Sequence, residues 1–450
     1  MGTTLVWFRR DLRLRDQPAL AWAAARGPVL PVFCLDPAEV PGAAARWWLH
    51  HSLLALQASL ERIGLPLVCR RGPAAAVLPG LAAAAGADAV AWNRSWEPAG
   101  AALDHAMEAA LGAAGVAARV FDSGLLLPPG ALRTQQGTPY RVFTPFWRQA
   151  RRRLAEAGPA LDPPAAPPDA AAASVPEAPG TVADLELLDR HPWHEKLHGP
   201  WRPGEAGAAA RLETFLAQGL ADYAAERDRP DRAGTSRLSP HLRFGELAPA
   251  RVFTALAPFL DGAHGPVAAG SAERFLAELG WREFAAHTLH AFPEMVETSL
   301  DARFDEGFWQ DDPEAVRAWR AGRTGVPLVD AGMHELWETG WMHNRVRMVA
   351  ASFLTKNLGC HWREGARWFE QTLVDADLAS NRFGWQWAAG CGLDAAPYFR
   401  VFNPETQARR FDPDGVYRER WLGGRPAVSP MVDLAASREA ALARYRKRIK

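Results

Sequence analysis

Over its first 130 residues the chain alternates short strand-like apolar runs with longer helical ones: LVWF, PALAWAAA, VLPVFCL, ARWWLHHSLLALQASLERIG, LPLVCRRG, an alanine-rich stretch and DAVAWN. Strands that recur after a helix are joined by right-handed crossovers and so run parallel. The pattern predicts a doubly wound α/β domain over residues 1–130. Between 159 and 180 the segment PALDPPAAPPDAAAASVPEAPG holds seven prolines in 22 residues and no apolar period. It reads as an extended surface linker, and residues 131–203 as the interdomain connection. From 204 to 450 the apolar spacing becomes i, i+3, i+4 in GEAGAAARLETFLAQGLADYAAERD, SAERFLAELGWREFAAHTLHAF, GMHELWETGWMHNRVRMVAASFLTKNLG and REGARWFEQTLVDADLA. That half is predicted to be an all-α domain.

Composition narrows the partners. Basic and acidic residues balance at 51 each, which excludes a uniformly basic nucleic-acid binder but leaves room for a local patch. Residues 401–450, with 11 basic and 6 acidic side chains, are one place for it. Only Lys196, Lys356, Lys447 and Lys450 are lysines, so phosphate recognition must rest mainly on guanidinium groups. Cys34, Cys69, Cys360 and Cys391 form no CxxC pair, and reduced, buried thiols are expected. No apolar run reaches the roughly 18 residues of a membrane helix, and the charged start lacks a signal peptide's apolar stretch. The expectation is a cytoplasmic protein without membrane contact. Tryptophan, at 19 residues, far exceeds tyrosine at 5.

Several motifs fail on context. HEKLH at 194–198 matches the HExxH zinc pattern, but Pro192 and Gly199-Pro200 leave too little helix to put His194 and His198 on one face. It reads as a polar surface turn. GCGLDA at 390–395 fits GxGxxA, yet follows a helical segment where a dinucleotide fingerprint needs a strand. No GxxxxGK[ST] loop or GxSxG elbow is present. GTSRLSPHLRFGEL at 234–247 is richer: Ser239-Pro240 reads as an N-cap and N1 proline whose free amides favour an anion such as a diphosphate. An ordinary capped helix would look the same. In DADLASNRFGWQWAAG at 375–390, Asp377, Asn381 and Trp385 fall at i, i+4, i+8 and would share one face. A packed core has little use for Asp and Asn there, since an unpaired buried polar group costs about 1–3 kcal/mol. A capped helix end with its Trp in the core is the competing reading. Arg347 can pair with Asp375 or Asp377, and Asn344-Arg345 offer donors for a phosphodiester or a base edge; solvated helix charges would do as well. Trp309, Trp362 and Trp385 could relay electrons, although most tryptophans in such a composition are packing anchors.

VWFRRDLRLRD, GTSRLSPHLRFGEL, WREF, GVPLVDAGM, TGWMHNRVRMVAASFLTK, DADLASN, GWQWAAG and DAAPYFRVFNP together cover nearly the whole chain. In these stretches the sequence resembles the photolyase/cryptochrome superfamily, and within it bacterial cyclobutane pyrimidine dimer (CPD) photolyases. The resemblance implies an amino-terminal α/β antenna domain and a carboxy-terminal helical domain holding FAD in a U-shape. Tyr223, Thr235, Ser236, Arg237, Leu238 and Ser239 would hold the FAD diphosphate and its surroundings. Asp375 and Asp377 would line the flavin, Arg347 would pair with Asp375, and Asn381 would face flavin N5. Trp385, Trp362 and Trp309, in that order outward, match the family's photoreduction relay. For the lesion, Glu278 matches the group that hydrogen-bonds the thymine edges, Trp281 and Trp387 the aromatic walls, and Met348 the apolar contact. Asn344, Arg345 and Gln407 match contacts to the damaged strand.

The implied activity is that of a carbon–carbon lyase: light-dependent dimer splitting by one-electron transfer from reduced FAD to a dimer flipped out of DNA. FCLDP and WNRSWEP lie where relatives line an antenna site, for methenyltetrahydrofolate or 8-hydroxy-5-deazaflavin, or for an empty pocket. DNA is the expected partner, with a monomeric protein and no obligate protein partner. The alternative is a cryptochrome-type photoreceptor, against which the lesion residues and the lack of a long carboxy-terminal extension argue. One departure stands out: Arg382-Phe383-Gly384 replaces the Asn-Gly-Gly that many relatives carry before the Trp, making the loop by the flavin bulkier.

Overall fold

The computed structural model describes residues 2–158, 171–174, 180–395 and 399–448. Most of the Pro/Ala-rich linker, and residues 396–398 of the DAAPYFRVFNP stretch, lie outside the described residues. Five strands form one parallel sheet: β1 (Thr3–Phe8), β2 (Val29–Leu35), β3 (Val68–Arg71), β4 (Ala87–Asn93) and β5 (Ala117–Phe121), in the order β3-β2-β1-β4-β5. Leu5 of β1 pairs with Leu30 on one side and Val90 on the other, and all three are buried. Cover on both faces is why these strands are continuous apolar runs without alternation. Helices α1 (Pro18–Arg26), α2 (Ala43–Glu61), α3 (Ala74–Ala84) and α4 (Pro98–Ala113) make the crossovers.

Chain order reverses between β1 and β4, so the loops leaving these strands part and open a crevice at their carboxyl ends. The first of them carries the FRRDLRLRD residues, and they tie the two halves together. Within the α/β half Arg9 pairs with Glu39 and Asp104, and Arg10 with Glu97, while the residues after them reach across. Arg13 donates to the carbonyls of Asp16 and Gly245, and Asp16 accepts from Arg251. The Leu12 N–H donates to the Phe244 carbonyl. Gly245 has φ 64°, and a Cβ there would lie 2.0 Å from the Arg10 carbonyl oxygen, so only glycine permits this approach.

The segment expected to be a connection contains a further helix, α5 (Phe143–Ala157). It buries Phe146, Ala150 and Leu154 in one core with Leu212, Leu276 and Phe284 of the helical half. Described parts of the linker follow the sheet margin: Ala172 bridges to Val29, and the Gly180 carbonyl accepts from the Cys69 N–H.

Beyond residue 204 the described chain is helical, its one strand-like feature being an isolated bridge between Gln310 and Cys360. The periodic stretches are broken more often than their spacing predicts. Gly340, left-handed at φ 67°, ends the Pro327–Thr339 helix before the Asn344–Ser352 helix begins. The next stretch splits into Trp362–Thr372 and Leu378–Ala389, with a turn at 373–377 pinned by the Val374 N–H to the Gly340 carbonyl. HEKLH lies in a short 3₁₀ helix, Pro192–His198, in which residues four apart do not share a face. Among the described residues no helix is long and apolar enough to cross a membrane, and the four cysteines are free and buried.

Candidate functional site

A cavity of about 590 Å³ opens in the helical half, in the size range of cofactor sites. Four elements supply most of its walls. The Pro266–Ala291 helix contributes Glu278 and Trp281, three residues apart and hence on one face. Asn344, Arg345, Arg347 and Met348 come from the first turns after Gly340, and Asp375 and Asp377 from the 373–377 turn. The Leu378–Ala389 helix contributes Asn381 and Trp385 at the expected spacing, with Phe383 and Trp387.

Asp375 is the hub of the polar end. Arg347 donates to both its oxygens at 3.1 and 2.9 Å, and the Ser239 hydroxyl donates at 2.7 Å. Ser239 is therefore not the helix cap the spacing suggests. Leu238 occupies that position, without a capping side chain, and the Ser239 hydroxyl is drawn away by a carboxylate. Asp377 does cap a helix, accepting the Ser380 N–H at 2.8 Å. Burial pushes its carboxyl up, but Arg243, Arg282 and Ser380 outweigh this and hold its pKa below the ordinary value. The Asn381 amide is oriented by donation to the Ala366 carbonyl at 2.9 Å. Tyr223, Thr235, Ser236, Arg237 and Leu238 do not line this cavity. Arg237, at a strained φ of 53°, lays its guanidinium over Trp341 and Trp201 at 4.8 and 5.8 Å.

At the apolar end Glu278 forms an ion pair with Arg227, and Arg345 with Asp228 at 2.8 Å. Trp281 stacks on Phe143, and Trp387 lies 6.1 Å from Phe402. Gln407 stands apart, on the Pro404–Phe411 helix, its buried Oε1 without a partner. Arg227, Arg274 and Arg400 also face the cavity and were missed from sequence; Phe383, of the loop expected to crowd the flavin, faces it too. The bulky Arg382 turns away: its Nε donates to the Val296 carbonyl at 2.8 Å and its head pairs with Glu370. Phe383 instead extends the aromatic wall, 6.0 Å from Trp281.

Of the three tryptophans expected to form a relay, Trp385 lines the cavity and Trp362 is sealed, with its Nε1 donating to Ser299. The His361 ring lies 5.6 Å from Trp362 and 5.2 Å from Trp309, joining the outer two. Trp385 fits because residue 365 is glycine; a Cβ there would sit 2.0 Å from the indole. Sequence reasoning missed Trp319, whose ring is 5.9 Å from Trp385. It also missed the stacked surface pair Trp337 and Trp368, 6.3 Å apart.

Two family models match: DNA photolyase over residues 4–168, and the FAD binding domain of DNA photolyase over residues 275–424. A deoxyribodipyrimidine photo-lyase of Agrobacterium fabrum is 45% identical over 93% of this chain and 86% of its own. The chain belongs to the DNA photolyase family. A bacterial class III photolyase from Agrobacterium tumefaciens superposes with a TM-score of 0.93 at 41% identity, over 99% of this chain and 98% of its own. Cryptochrome-1 of Arabidopsis thaliana is 36% identical over 94% of this chain and 63% of its own.

The cavity fits the family's FAD. Its donor set combines guanidinium groups for phosphate with an amide and an indole for a flat ring. Although both guanidinium groups are ion-paired, Arg227 Nε and Arg345 Nε are buried with no hydrogen-bond partner, so one donor on each remains to be satisfied. Photolyase chemistry also needs a second space beside the cofactor, and the same cavity continues to Glu278, Trp281 and Met348.

Proposed function

We propose that this chain is a light-driven carbon–carbon lyase that splits cyclobutane pyrimidine dimers in DNA, with FAD and the flipped-out dimer sharing the 590 Å³ cavity. The carrying observation is the continuity of that space, from the Arg347–Asp375–Ser239 cluster past Asn381 and Trp385 to Glu278, Trp281, Trp387 and Met348. Reduced FAD, when bound and illuminated, would lend the single electron that opens the cyclobutane ring and recover it once the two pyrimidines have separated, so that the splitting is redox-neutral.

The chain's residues do the rest. Arg347, fixed by Asp375, and Asp377 would hold the cofactor's ring end; Ser239 reaches that end only through Asp375, and for Tyr223 and residues 235–238, which lie outside this cavity, the diphosphate role rests on the family motif alone. Asn381 presents an amide already oriented by Ala366. Trp281 and Trp387 replace the stacking a flipped dimer loses, worth about 1–3 kcal/mol per base. Glu278 exchanges its pairing with Arg227 for the thymine edges, and the freed guanidinium turns to phosphate. Asn344, Arg345 and Gln407 hold the damaged strand, and Met348 keeps water from the dimer. Trp309, Trp362 and Trp385 carry electrons inward, with Trp319 as a second neighbour of Trp385.

The β1–β4 crevice, lined by the WNRSWEP residues Asn93 to Glu97 but not by FCLDP, is our placement for an antenna chromophore. Its enclosed space is about 90 Å³, so such a chromophore would lie partly in solvent. We take the working unit to be a monomer. The decisive experiment is dimer repair by FAD-loaded protein under blue light and in darkness. Repair in light alone supports the proposal. Repair in darkness rejects it, and photoreduction without repair makes the chain a cryptochrome-type photoreceptor.

A further inference from the structure

We infer that Phe143, on the interdomain helix α5, is a positioning residue that presets the plane of Trp281 for the lesion. This rests on the reading of Trp281 as a lesion wall. The two rings lie face to face, 3.7 Å between centroids and 9° between planes. Trp147, one turn along α5, continues the array at 6.2 Å and 13° from Phe143. Phe284 closes it edge-on, 6.0 Å from both Phe143 and Trp281. The Pro266–Ala291 helix accommodates the array by a bare backbone at Gly280, where a Cβ would fall 2.6 Å from the Trp147 ring.

Phe143 does not line the cavity, so it covers one side of the indole and leaves the rest to the ligand. On the cavity side, the Phe143 backbone N–H faces the carboxylate of Asp394, which lines the cavity. An indole on a lone helix face has several rotamers, and a flat ligand would have to select one on binding. A ring already clamped between aromatic neighbours has lost that freedom beforehand, so the ordering cost is absent from the binding step. Docking of α5 itself is secured by the buried Phe146, Ala150 and Leu154, so the phenyl ring can be removed with the helix still in place.

In FAD-loaded protein, Phe143→Ala is expected to weaken binding of dimer-containing DNA about five- to tenfold, the scale of one aromatic pair. Affinity for undamaged DNA, flavin absorption and photoreduction rate should stay unchanged. Phe143→Tyr should restore lesion binding, and Phe143→Leu, which keeps apolar volume without a ring, should not. Trp281→Ala serves as the reference. If it loses lesion affinity while Phe143→Ala and Phe143→Leu bind like the parent, the positioning role is overturned. Equal loss for damaged and undamaged DNA in Phe143→Ala overturns it too. If Trp281→Ala itself binds the lesion normally, it is the wall assignment that fails.

Discussion

Arg347 and Asp375 show how little a single side chain can be treated alone. Asp375 is 7% exposed, and its pairing with Arg347 leaves it further acceptance only from Ser239. Arg347→Met would strand a buried carboxylate, a change of roughly 3–5 kcal/mol in comparable pairs. It is expected to cost at least about tenfold in FAD retention, read by absorbance after gel filtration. At the other end, Glu278→Ala should lower dimer repair while FAD stays bound, since Glu278 meets Arg227 and not the Asp375 cluster. Trp385→Phe should abolish photoreduction yet spare repair by chemically reduced protein; a normal photoreduction rate would remove Trp385 from the relay. Trp362→Phe should leave a residual rate if Trp319 conducts. At this scale about half of the residues lining the cavity were named from the sequence, because they fall on a few helix faces. Arg227, Arg274 and Arg400 escaped notice because solvated and cavity-facing arginines look alike in a sequence. Gln407 matched by position, yet a residue on a separate helix needs more than position to reach the cavity.

The Pro266–Ala291 helix meets the interdomain segment through Glu283, which is fully buried and accepts the N–H groups of Leu126 and Leu127. Burial pushes its pKa from 4.5 to about 7, and neighbouring Arg282 only partly offsets this. The folded state therefore holds the proton over a range where the unfolded chain has released it. Stability should fall as pH rises from about 4.5 to about 7 and level off above, by at most about 3 kcal/mol. Glu283→Gln should flatten that segment of a Tm-against-pH curve and melt higher than the parent at pH 8. In the Trp362–Thr372 helix, Gly365→Ala should cost about the 1–3 kcal/mol of stability typical of an overpacked core, read as a lowered Tm, and slow photoreduction by displacing Trp385. Helix identity was legible from the 3.6-residue period. The break at 373–377 was not, because the apolar spacing runs on through it and the turn is held by contacts from residues distant in sequence, the Gly340 carbonyl to Val374, Arg347 and Ser239 to Asp375, and Arg243 to the Ala376 carbonyl. That break is what swings Asp375 and Asp377 into the cavity.

Over the whole molecule, class and order of the two halves followed from the switch between strand alternation and helical periodicity. Their docking could not, since it depends on groups such as Arg13 and the Gly245 carbonyl, 232 positions apart. Gly245→Ala tests this seam: a positive φ and a 2.0 Å backbone clash should lower Tm by several degrees and loosen both the crevice and the neighbouring Ser239 turn. Unchanged stability would mean the halves can part without cost. The abundance of tryptophan has two causes at this scale. Trp7, Trp47, Trp48, Trp92 and Trp319 are sealed anchors of the cores, whereas Trp337 is 48% exposed and stacked on Trp368. An oxidised indole deep inside can only take its electron back from where it went. One at the rim, as Trp337 is, can shed a proton to water or be refilled by a dissolved thiol, so any hop that ended there would be a one-way ratchet.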